Sequence, residues 1–72
     1  MTENNMDIFA LLKETMRKKI ISVRTSLGLS VSELAEKCGW DESYLSLLEQ
    51  GEQEITPEIL AKVLDVTKYF QE

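Results

Sequence analysis

Histidine is absent from this chain of 72 residues, and cysteine occurs once, at Cys38. Those two scarcities exclude thiolate and imidazole sets for a zinc site, an internal disulfide framework, and the Ser-His-Asp or Cys-His nucleophile arrangements. Gly28, Gly39 and Gly51 stand far apart, so no glycine-rich cradle for a nucleotide phosphate is present. Adjacent acids such as Asp41 and Glu42 read as a solvated helix start rather than an acid/base pair. The expectation is a protein that is no enzyme and needs no metal or other cofactor. The apolar runs are only a few residues long, against the roughly 20 that a bilayer demands, and the amino end has no signal-peptide layout. No membrane association and a cytoplasmic setting are therefore expected. Proline occurs only at position 57, and no alternation of strand type appears.

What the chain does have is helical periodicity. Ile8, Leu11, Leu12, Met16, Ile20, Val23 and Leu27 recur every third or fourth position up to Gly28, which predicts one long helix or two short ones. Ser30-Val31-Ser32-Glu33 has the spacing of a capping box and predicts the next helix, with Leu34, Ala35 and Cys38 inward and Gly39 ending it. Asp41 is the following N-cap candidate, for a helix with Tyr44 or Leu45 and Leu48 inside that stops at Gly51. Thr56-Pro57-Glu58 combines a cap, a proline at the first helical position and an acid near the helix amino end. Ile59, Leu60, Val63 and Leu64 face the core of that helix, and Val66, Tyr69 and Phe70 suggest a short final one. With 43% apolar residues in so short a chain, residues 1–72 are expected to share one core as a single domain.

Counted from Val31 as the first position, Ala35 is fifth, Gly39 ninth, Leu45 fifteenth and Leu48 eighteenth. Two helices that cross steeply after a short turn need a small side chain at the contact, a permissive backbone at the turn and branched apolar residues beneath. With Arg24, Leu29-Ser30, Glu33-Leu34-Ala35, Glu49, Gly51 and Thr56-Pro57 at matching spacing, the chain resembles the lambda-repressor/Cro-like (XRE-type) helix-turn-helix family over about 19–66. The resemblance implies an all-α, compact five-helix domain, here with an N-terminal helical extension at about 6–18. It also implies double-stranded DNA as partner, with the third helix in the major groove and Val31, Asp41, Glu42, Ser43, Tyr44, Ser46, Leu47 and Gln50 as the contact positions. Arg24 and Glu49 match the family's internal ion pair, and two-fold dimers are common in the family, so a homodimer is expected.

The charge distribution departs from that pattern. Between Leu29 and Glu58, eight acids face Lys37 alone, a net of −7, whereas Lys13, Arg17, Lys18, Lys19 and Arg24 against Glu14 give +4 upstream. DNA affinity rests largely on neutralised phosphates, which leaves Arg17, Lys18 and Lys19 as the candidate phosphate contacts, or else as a solvated helix face. Trp40 suits either a core position under the turn or a stacking platform. Tyr44 and Leu47 form an apolar spot ringed by acids, a surface suited to a protein partner. Two functions follow: a sequence-specific DNA-binding transcriptional regulator, or an acidic protein-interaction module on the same fold (antirepressor, antitoxin-like partner or DNA mimic) that has lost DNA binding. The stripe of Met6, Ile8, Phe9, Leu12 and Met16 needs a cover, either Tyr69-Phe70 or a second copy.

Overall fold

In the computed structural model, which describes residues 7–68, helix formation begins at Asp7, whose carboxylate accepts a hydrogen bond from the Phe9 amide at 3.0 Å. Helix α1 (Ile8–Ser26) then runs unbroken, so the first periodic stretch is one long helix. Helix α2 (Val31–Cys38) opens on the expected capping box: Ser30 Oγ accepts from the Glu33 amide at 3.0 Å, and Glu33 Oε1 accepts from the Ser30 amide at 2.8 Å. Two of the amides that a helix start leaves unpaired are thereby satisfied. Gly39 has φ 77° in the left-handed region, and the Trp40 amide reaches back to the Ala35 carbonyl at 2.9 Å, closing α2 and turning the chain.

Helix α3 (Glu42–Gln50) has Asp41 as its N-cap, although the Asp41 side chain makes no capping hydrogen bond. Gly51, at φ 80°, ends it with the same reach-back, here from the Glu52 amide to the Leu47 carbonyl at 2.9 Å. Helix α4 (Pro57–Thr67) starts where Thr56 Oγ1 accepts from the Ile59 amide at 3.3 Å and proline occupies a position whose missing N–H costs nothing.

Four helices form among the described residues, rather than five. Val66 is part of α4, which continues to Thr67, while Tyr69 and Phe70 lie outside the described residues, as does Met6. Thr67 is fully buried, and its hydroxyl is satisfied by the Val63 carbonyl at 2.7 Å. The core is built from Ile20 of α1, Leu34, Ala35 and Cys38 of α2, Leu45 and Leu48 of α3, Ile55 of the connection and Val63 of α4. Ala35 is the smallest side chain in that set and lets α2 and α3 approach closely. Burial raises the Cys38 thiol pKa above its ordinary value, as expected for a small apolar core residue. No helix among the described residues is long and apolar enough to cross a membrane.

Candidate nucleic-acid interface

Helix α3 owes its orientation to two buried leucines and to one glutamate. Leu45 and Leu48 have no exposed surface and fix which side of the helix faces inward. At the carboxy end, Glu49 is held from α1 by two arginines. Arg24 Nε and Nη2 donate to the two Glu49 carboxylate oxygens at 2.7 and 2.9 Å, and Arg24 Nη1 donates to the Leu29 carbonyl at 3.0 Å. Arg17 Nη1 donates to the backbone carbonyl of the same Glu49 at 2.9 Å, and the rest of its guanidinium engages the Glu14 carboxylate. Arg17 and Arg24 lie seven residues apart on α1 and so share a face. Helix α3 has no basic residue in its own last turn, so the cations that favour a helix carboxy end come from α1.

The opposite side of α3 follows from the same geometry. Ser43, Ser46, Leu47 and Gln50 repeat at intervals of three and four and make the row farthest from Leu45 and Leu48. Ser43, Leu47 and Gln50 are exposed and Ser46 is half-buried. This outward row carries no charge. Exposed Glu42 flanks it on one side, and on the other lies Tyr44, half-buried and packed edge-on against Trp40 with ring centroids 5.4 Å apart at 79°. Trp40 is itself half-buried against the core, beneath the turn. Val31, at the start of α2, is likewise half-buried and packs on the core instead of standing out from it.

A match to a helix-turn-helix family model covers residues 20–69. The chain belongs to the lambda-repressor-like (XRE-type) helix-turn-helix family. No curated protein and no solved structure matches it.

Within this helix-turn-helix domain, the three basic residues adjacent in sequence do not form one exposed cluster. Successive residues on a helix point in different directions, and Arg17 turns inward to Glu14 and Glu49 while Lys18 and Lys19 stay exposed. Glu14 is lowered from its ordinary carboxylate pKa, chiefly by the hydrogen bonds from Arg17, and Lys18 adds a weaker attraction at 3.8 Å. The acidity of the middle segment is also partly absorbed internally. Glu33 caps α2, Glu49 pairs with Arg24, and Glu54 lies 3.7 Å from Lys13. Glu36, Asp41, Glu42, Glu52 and Glu58 remain exposed. The role of Arg17 as a cap for α3 had no signal in the sequence, because its acceptor is a backbone carbonyl 32 residues away.

Proposed function

We propose that this helix-turn-helix domain is a cytoplasmic DNA-binding transcriptional regulator that reads base edges with the outward row of α3 and grips the phosphate backbone weakly. The uncharged row of Ser43, Ser46, Leu47 and Gln50 carries this reading. A glutamine amide matches the N6/N7 pair of adenine, a leucine suits the thymine methyl group, and serine hydroxyls accept or donate as the base requires. Exposed Glu42, at the amino end of the same helix, has the chemistry to accept from the cytosine amino group. With Arg17 committed to α3, the exposed cations left in the basic cluster are Lys18 and Lys19. Counterion release from about two neutralised phosphates gives a slope of log affinity against log salt of about −2.

Selection of binding sites from random duplexes at low salt, followed by salt titration of the best site, tests the proposal. Expected are an enriched sequence, a shallow slope, and a Leu47→Ala variant that changes base preference while leaving the slope in place. No enrichment at any salt rejects the DNA reading. Exposed Leu47 and half-buried Tyr44, on a helix that carries acids and no basic residue, then favour the second reading, an acidic module that binds a protein. That reading predicts loss of the partner on Leu47→Ala.

A further inference from the structure

The first half of α1 overhangs the core. Ile8, Phe9, Leu11 and Leu12 are 63, 72, 51 and 52% exposed on consecutive turns of a well-formed helix. Ile8, Leu11, Leu12 and Thr15 lie along one stripe, with Phe9 at its edge. Beside that edge, Phe9, Leu12 and Met16 line a cleft of about 260 Å³ with Ile55, Thr56 and Pro57, roomy enough for an apolar side chain from outside. The four exposed residues leave on the order of 400 Å² of contiguous apolar surface in water, the size of the largest patch on a typical monomer and a large share of so small a domain.

We propose that this surface is the interface between two copies of the chain, with the two α1 helices packed antiparallel across a two-fold axis near Leu11 and Leu12. A two-fold contact buries the patch on both copies at once, about 800 Å² of apolar area before its polar margins are counted. That brings the total to the ~1,200 Å² at which specific interfaces begin. A parallel pairing would set the exposed Lys18 and Lys19 of the two copies side by side. The antiparallel one separates them and carries each pair toward the partner's helix amino end, where Asp7 supplies a carboxylate. The cleft beside Phe9 and Met16 then receives an apolar side chain of the partner helix. This interface does not depend on whether α3 reads DNA.

Sedimentation equilibrium of the full chain against concentration, run beside the Leu11→Glu and Leu12→Glu variants, tests the interface. Expected is a wild type that reaches twice its 8.3 kDa mass and melts higher as its concentration rises, and variants that stay monomeric with unchanged helical circular dichroism and a melting temperature independent of concentration. Two cysteine variants test the geometry: Leu11→Cys should cross-link to its own copy under oxidation, and Thr25→Cys, at the far end of α1, should not. A monomeric wild type at the concentrations of an NMR sample overturns the proposal. So does a dimer that survives both glutamate substitutions, or cross-linking at Thr25→Cys with equal efficiency. A monomer that binds anionic vesicles through Leu12, or one destabilised by deleting residues 69–72, assigns the face to lipid or to the chain's own end and also overturns it.

Discussion

Arg24 on α1 and Glu49 on α3 meet in a fork of two parallel hydrogen bonds, with 16 and 10% of their side chains exposed. The third arm of the guanidinium goes to the Leu29 carbonyl, just before α2. One side chain thus ties together the long first helix, the turn that leads into α2, and the end of the helix that faces outward. Taking both charges from water offsets much of their attraction, so the pair fixes register more than it adds stability.

Removing one partner strands the other in a largely dry site. Arg24→Met and Glu49→Gln should each cost about 2–3 kcal/mol, and the double substitution less than the two together. A denaturant double-mutant cycle measures this. Additive costs would show that the fork contributes nothing beyond two independent side chains.

Arg17 gives a pH signature. Its hydrogen bonds hold the Glu14 carboxyl below its ordinary pKa, and Glu14 raises Arg17 in return. A carboxyl depressed in the folded state contributes stability that is present at neutral pH and disappears as pH falls through the folded value. The side chain is exposed enough for solvent to keep that contribution small. Carboxyl carbon NMR of Glu14 should give a midpoint under that of a free glutamate, and Arg17→Gln should return it to the ordinary range. The same substitution removes the donor to the Glu49 carbonyl and should lower the melting temperature. An unchanged Glu14 midpoint in Arg17→Gln would remove the physical basis for this contact.

The crossing of α2 and α3 separates two kinds of cost. Ala35→Leu places three extra carbons at a contact that is 1% exposed and should destabilise by ~1–3 kcal/mol. At Gly39 an added Cβ would meet nothing within 4 Å, so the cost there is backbone strain alone, from φ 77°. Gly39→Ala should cost about 1 kcal/mol and Gly39→Asn less, since asparagine tolerates the left-handed region. Thermal melts of the three variants check the order.

Local physics made most of the fold legible in the sequence. The Ser30–Glu33 box and Thr56-Pro57 announce helix starts because the groups that satisfy one another are three residues apart. The short fifth helix was less legible: Val66 continues the pattern of α4, and apolar spacing alone does not mark where one helix yields to the next. The candidate surface divides along the same line. The face of α3 follows from spacing around Leu45 and Leu48. The summed charge of the segment does not describe that face, because Glu49 and Glu54 are paired by Arg24 and Lys13 from a distant helix. Adjacency in sequence likewise groups Arg17 with the exposed Lys18 and Lys19, and only tertiary packing reveals the carbonyl it serves.

The two arginines also make α1 a lever. Its first half presents the apolar patch, and its second half grips the carboxy end of α3 at two points on one residue, Glu49. Over its nine residues α3 is about 13 Å long, so a tilt of roughly 10° pivoting at Glu49 swings Ser43 and Glu42 by about 2 Å, enough to break a base-edge hydrogen bond. On the proposed reading of α3, a displacement of α1 would reach that helix through the contacts of Arg17 and Arg24 with Glu49.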